Sequence, residues 1–211
     1  SGSSEVARID SSGRFLVGTS TAYGISSLSN PDVQLSKANH ASTLAVTAWK
    51  ADGTAFNPTL QLMRSYNNTS GTHTAVPDGS RLGSIRFAGS NGSAFFTGAE
   101  IIGLADGQTW ASGDCPGRLV FLVTADGAST PTEALRISNN RAITVSDGGN
   151  VVLGTTTGTK IGTGTTQKIG FYDATPVVQP TAVAAATDAA TVITQLNALL
   201  TRMRNLGLIA T

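Results

Sequence analysis

Short apolar stretches alternate with polar ones through the middle of this chain, with the period of two that turns one side of a strand toward a core and the other toward solvent. Between residues 40 and 132 the pattern predicts strands at Leu44–Trp49, Thr59–Arg64, Gly83–Ala88, Ala99–Leu104 and Leu119–Thr124. Asp52-Gly53, Asp78-Gly79, Asp106-Gly107 and Asp126-Gly127 fall between these runs, and Asp-Gly pairs accept the positive φ angles of tight turns. The expectation is an antiparallel meander or sandwich. Two connecting segments, 67–77 and 106–117, are longer than a hairpin needs and are expected as loops on a rigid sheet, where binding residues commonly sit.

An internal repeat flanks this region. The stretch Glu5-Val6-Ala7-Arg8-Ile9-Asp10-Ser11-Ser12-Gly13-Arg14-Phe15-Leu16-Val17-Gly18-Thr19 is echoed by Glu133-Ala134-Leu135-Arg136-Ile137-Ser138-Asn139-Asn140-Arg141-Ala142-Ile143, and Val151-Val152-Leu153-Gly154-Thr155 echoes its final part. One strand-turn-strand unit therefore occurs on both sides of the central module, as in fibrous proteins that string units end to end. The first copy reads as the end of a preceding module, which makes the chain a piece of something longer.

After the second copy, residues 154–170 are nearly all small or β-branched, dominated by Gly and Thr. Such a run has little side-chain volume to bury within one chain and suits a place where several backbones approach one axis. Pro176 and Pro180 then bound an extended linker. Beyond it, Ala185, Ala189, Val192, Leu196, Leu199, Met203 and Leu206 recur at alternating intervals of four and three, an a/d stripe that predicts an amphipathic helix packed against like helices. Ile193 and Leu200 widen the stripe, Thr187 or Asp188 can cap its start, Arg202 and Arg204 suit its last turns, and Gly207 can close it. Val192, Leu196, Leu199, Met203 and Leu206 are the expected trimerisation contacts. Four segments follow from this reading: 1–39, the end of a repeat with a linker; 40–137, an antiparallel β head; 138–180, a Gly/Thr-rich intertwined β segment; and 181–211, a helical trimerisation tip. The fold class is mainly β, an intertwined homotrimeric fibre with a short C-terminal helix forming a three-helix bundle.

Composition narrows the chemistry. In 211 residues with 13% charged side chains and a net charge of +1 there is no basic run to hold phosphates, so nucleic acid is not an expected partner. No apolar run approaches the roughly 18–20 residues of a membrane-spanning helix, and the start lacks a signal-sequence pattern. The single cysteine, Cys115, leaves no disulfide framework or Cys-x-x-Cys site and reads as a small buried residue. His40 and His73 are far apart with no acidic or cysteine cluster beside them, so no metal site is expected. No cofactor motif is present either, since Gly158–Gly164 lacks the ending of a phosphate loop.

Aromatic residues are the more informative candidates, because their faces stack on the C–H faces of pyranoses while short polar side chains take the hydroxyls. Of Trp49, Tyr66, Phe95, Phe96 and Trp110, Tyr66 and Trp110 stand in the two long loops. Asn68 and His73 share the loop of Tyr66, and these four are the receptor-binding candidates.

Three stretches together resemble bacteriophage tail-fibre proteins, particularly those of phages infecting marine bacteria. They are Arg8 to Thr19; Arg81-Leu82-Gly83-Ser84-Ile85-Arg86-Phe87-Ala88-Gly89 continuing to Gly117–Phe121 and Thr132–Ile137; and Gln167-Lys168-Ile169-Gly170-Phe171 through Pro176–Pro180 to Arg204–Ile209. No C-terminal self-cleaving chaperone signature accompanies them. The resemblance implies a homotrimer in the virion, joined to the remainder of the tail, which attaches to a bacterial surface glycan or outer-membrane receptor without acting as an enzyme. Two rivals remain at this point. A glycan-cleaving tailspike needs two carboxylates across a sugar bond, and Glu100, Asp114 and a few other acids are left once repeat and turn positions are set aside. A purely structural shaft would not need the module with long loops, and against a bacterial trimeric adhesin stand the lack of a membrane anchor and the phage-like ending.

Overall fold

A computed structural model describes residues 6–25, 30–38, 42–49 and 58–210. The chain divides into two compact units, Ser1–Asn150 and Val151–Thr211.

The first unit holds two sheets. In the smaller, β1 (Ala7–Ile9) pairs antiparallel with β2 (Phe15–Val17), and β3 (Val33–Leu35) adds to β2 in parallel. The larger is an antiparallel meander of β4 (Arg81–Ser90), β5 (Phe95–Ala105), β6 (Gly117–Val123), β7 (Thr132–Ile137) and β8 (Ile143–Val145), adjacent in chain order. Three of the expected strands lie here in β4, β5 and β6. The hairpin between β4 and β5 was not anticipated by an Asp-Gly pair; it turns at Asn91-Gly92, where the Asn91 side chain accepts from the N–H of Ser93 and of Ala94, both at 3.0 Å. The expected strands Leu44–Trp49 and Thr59–Arg64 join no ladder. Their alternation is real, but among the described residues no strand pairs with them, and Leu44, Val46, Trp49, Leu60 and Met63 stay exposed. Asp52-Gly53 lies outside the described residues.

The repeat in the sequence is a repeat in structure. Ile9 pairs with Phe15 and Ile137 with Ile143 across loops of equal length. Asp10 N–H donates to Arg14 O at 3.0 Å and Gly13 N–H to Asp10 O at 2.9 Å, while Ser138 N–H donates to Ala142 O at 3.0 Å and Arg141 N–H to Ser138 O at 2.8 Å. Gly13 (φ 79°) and Arg141 (φ 67°) hold the same left-handed position.

Period-two alternation gives the large sheet two different faces. On one, Ile85, Ile101, Phe121, Leu135 and Val145 form an unbroken row across all strands. Phe87, Ala99 and Val123 run beside it on one side, and Leu119, Ile137 and Ile143 on the other. Most of this face is open: Ile85 is 45% exposed and Phe87 56%. The opposite face contains paired Ile102 and Val120, both buried, and the buried Glu100. Glu100 is held by Arg86 Nε at 2.6 Å and Arg81 at 2.9 Å.

In the second unit the Gly/Thr-rich run forms turns with no ladder of its own, apart from an isolated antiparallel bridge between Ile169 and Val177. The helix α1 (Ala189–Leu206) begins where Asp188 accepts from Thr191 N–H and Thr191 accepts in return, a capping box. Ala185 therefore lies before the helix. Gly207 (φ 76°) ends it, with its N–H on Arg204 O and Leu208 N–H on Met203 O, closing the last carbonyls. No residue of the helix is buried, and Val192, Leu196 and Leu199 are exposed.

Candidate functional site

Residues 65–74 form a loop closed by its own polar side chains. Tyr66 N–H donates to Thr74 O at 3.1 Å, Ser65 Oγ donates to Thr72 O at 2.8 Å and accepts from Thr74 N–H at 2.9 Å, and Asn67 Nδ2 reaches Thr74 Oγ1 at 2.9 Å. Asn67 Oδ1 accepts from Thr69 N–H at 2.8 Å, which turns the tip. These bonds fix the loop without apolar packing, as its composition requires.

An open recess of about 700 Å³ runs along one side of the loop, lined by Arg64, Ser65, Tyr66, Asn67 and Asn68. Tyr66 is 52% exposed, and the Arg64 guanidinium lies over its ring at 5.6 Å, a cation–π arrangement. Arg64 is steadied by donating to Arg81 O at 2.8 Å. Asn68 and His73 are both exposed.

The second loop hangs from the same segment. Trp110 N–H donates to Val76 O at 3.0 Å, two residues beyond the Thr74 carbonyl that holds Tyr66. Val76 itself is buried, so the loops of Tyr66 and Trp110 are anchored side by side on one fixed stretch. Trp110 is half-buried, and its indole N–H is committed to Pro116 O at 2.7 Å. That bond makes Trp110 an organiser of its own loop as well as a partly open ring. Ala111 and Asp114 exchange backbone bonds at 2.9 and 3.1 Å to form the tip.

Asp106 secures the loop's root. Its carboxylate accepts from Arg118 at 2.6 Å and from Asn139 N–H at 3.1 Å. The Asn139 backbone bond first, then Arg118, hold its pKa below the ordinary aspartate value. Asp78 performs a parallel task by accepting from Gly107 N–H at 2.7 Å.

The acids that could have suggested hydrolysis have structural partners. Burial pushes the Glu100 pKa up, but hydrogen bonds from Arg86 and Ser84 and the charge of Arg81 outweigh it and leave the group below its ordinary value. Asp114 is bonded to Gln108 within the loop. Cys115, read as buried, is exposed, its Sγ lying 3.5 Å from Ala111 O; the loop tip simply projects it outward. Phe95 and Phe96 are both half-buried, and Tyr23 stacks on Phe95 with ring centroids 5.7 Å apart. Trp49 is exposed on an unpaired segment, and His40 lies outside the described residues. Among the described residues no group of His, Cys, Asp or Glu could hold a metal ion, and no helix is long and apolar enough to cross a membrane.

No protein-family model matches this chain, and no curated protein does. Its fold is similar to solved structures of a phage fibre. The carboxy-terminal domain of the bacteriophage T5 L-shaped tail fibre superposes with a TM-score of 0.53 and 13% identity, covering 75% of this chain and 65% of that one. The same domain solved with its intramolecular chaperone domain gives a TM-score of 0.56 and 13% identity, covering 88% of this chain and 48% of that one. The chain spans less than two thirds of the length of either. At this identity the likeness is one of fold: a mainly β chain with an antiparallel five-stranded sheet and a C-terminal helix.

Proposed function

We propose that this chain is the C-terminal, receptor-binding part of a bacteriophage tail fibre, non-enzymatic, located in the virion and joined to the rest of the tail. The observation that carries the reading is the fold likeness to the T5 fibre domains over most of the chain. In the same reading the protein works as a homotrimer. The exposed Ile85, Phe87, Val123, Ile143 and Val145 on one face of the five-stranded sheet, the exposed Leu44, Val46 and Trp49, and the exposed Val192, Leu196 and Leu199 of α1 are the surfaces that such an assembly would cover. Copies of the same chain supply matching faces in register, as closed symmetric oligomers do. Val192, Leu196, Leu199, Met203 and Leu206 are the helical contacts of that assembly.

The receptor is a bacterial surface glycan, taken by the loops pinned at Thr74 and Val76. Tyr66 offers an aromatic face, Asn68 and His73 offer hydrogen bonds, and the open edge of Trp110 completes the surface. A trimer carries each loop three times, so modest single-site affinity for a repetitive polysaccharide is multiplied by effective concentration. The test is binding of labelled protein to a panel of bacterial strains and to their purified surface polysaccharides, with released reducing ends assayed in the same samples. Binding without release is the expected result. Release of oligosaccharides would make the protein a depolymerase, and adhesion to nothing in the panel would make it a shaft.

A further inference from the structure

The second unit displays one aromatic side chain in a way that its packing does not explain. Tyr172 and Asp173 occupy consecutive left-handed positions, with φ of 49° and 69°. Glycine and asparagine take that conformation readily, whereas an aromatic residue is strained in it. The turn is nonetheless firmly held: Ala174 N–H closes it onto Phe171 O at 3.0 Å, and Phe171 N–H donates to Leu206 O at 2.9 Å at the end of α1. Contact there is so close that a Cβ on Gly207 would fall 2.0 Å from Phe171 O. A rigid helix end thus carries a strained turn whose Tyr172 ring is 91% exposed.

Beside the ring, a carboxylate and a guanidinium stand in an otherwise apolar recess. Asp173 has no hydrogen-bond or ion-pair partner among the described residues, although Arg204 lines the same recess of about 490 Å³ together with Tyr172, Ala174, Gly207, Leu208, Ile209 and Ala210. Arg204 Nε donates only a long bond, to Ala210 O at 3.4 Å. The Asp173 carboxylate and the Arg204 guanidinium line the same recess as the ring. An aromatic face flanked by a free carboxylate and a free guanidinium edge is the equipment for a sugar ring: the face stacks on C–H groups, the carboxylate accepts from a pair of hydroxyls, and the guanidinium donates to ring or hydroxyl oxygens. Strained residues that surrounding structure holds in place recur at ligand sites.

From these observations we infer that Tyr172, Asp173 and Arg204 form a second carbohydrate site, on the C-terminal unit and separate from the Tyr66 loop, taking a neutral pyranose unit of a surface polysaccharide. It extends the glycan-binding reading to a part of the chain that the Tyr66 loop does not include. The test compares the full chain with Tyr172→Asn, Asp173→Asn and Tyr66→Ala on immobilised smooth lipopolysaccharides and on dextran, galactan and xylan, with thermal melting and light scattering on each variant. Tyr172→Asn should melt higher than the parent, because asparagine suits the left-handed position, while its affinity falls about tenfold or more; Asp173→Asn should weaken binding at unchanged assembly. Loss of binding in Tyr66→Ala alone, with Tyr172→Asn binding as the parent does, overturns this site and leaves the first standing. Loss in Tyr172→Asn alone does the reverse. A parent that binds none of the surfaces overturns both, and dissociation of Tyr172→Asn into smaller species would make the turn a contact between copies and overturn the inference.

Discussion

Two residues occupying one turn position illustrate how local chemistry sets stability here. Gly13 and Arg141 both adopt the left-handed conformation in equivalent hairpins, but only glycine does so without a clash between Cβ and the carbonyl. Arg141→Gly should therefore raise stability by about 0.5–1 kcal/mol, and Gly13→Ala should lower it by about 1 kcal/mol; differential scanning calorimetry would read both. Glu100 makes a pH-dependent contribution. Its folded pKa lies below the ordinary value of 4.5 because Arg86, Ser84 and Arg81 favour the carboxylate more than burial disfavours it. The stabilisation is thus full above that value and is lost as pH falls through the depressed folded pKa. Glu100→Gln should cost about 1–3 kcal/mol at neutral pH, and its melting temperature should change less between pH 5 and pH 3 than that of the parent. A parallel pH dependence in both proteins would mean that Glu100 is not the titrating group.

At the scale of elements, each unit is organised by its ends as much as by its faces. The helix starts at a capping box on Asp188 and Thr191 and stops at Gly207; with no residue buried in the single chain, these ends carry much of its definition. Asp188→Ala should reduce helix content and lower stability by about 1 kcal/mol, measurable by circular dichroism. The five-stranded sheet depends on its pairing, and its long loop is fastened at the root by Asp106 through Arg118 and Asn139. Trp110 then fastens the loop from inside through its indole N–H. Trp110→Phe, which keeps a ring and loses that donor, should loosen the loop while leaving the sheet intact. Faster amide exchange confined to residues 107–116, with β5 and β6 protected as before, is the expected pattern.

At the scale of the whole molecule, exposed apolar residues in both units are what the proposed homotrimer would cover. Sedimentation should find a trimer at every workable concentration, and a folded monomer would sink that proposal. Leu199→Asp places a charge in the uncovered stripe and should weaken assembly first, whereas Tyr66→Ala should leave assembly unchanged and reduce adhesion. The two variants test the proposed trimer contacts and the proposed receptor site separately.

Much of this architecture is written in local patterns. The alternation in β4, β5 and β6, the repeated hairpin, and a helix that stops at Gly207 follow from residue spacing and turn chemistry, which act over a few positions. That Tyr66 and Trp110 stand in loops is legible too, from the short polar residues around them; their binding role is a proposal. Other features depended on residues far apart in the chain. Leu44–Trp49 and Thr59–Arg64 carry a strand pattern, but a strand also needs a ladder, and among the described residues they join none. Glu100 could be read as a catalytic acid until β4 brought Arg81 and Arg86 to it. Tyr172 carries no local signal, because its strained position is set where Phe171 meets Leu206 at the end of the helix. Periodicity, caps and turns belong to the sequence because their energetics are local; partners for a strand, a buried charge or a displayed ring are decided by which distant segments the tertiary structure brings together.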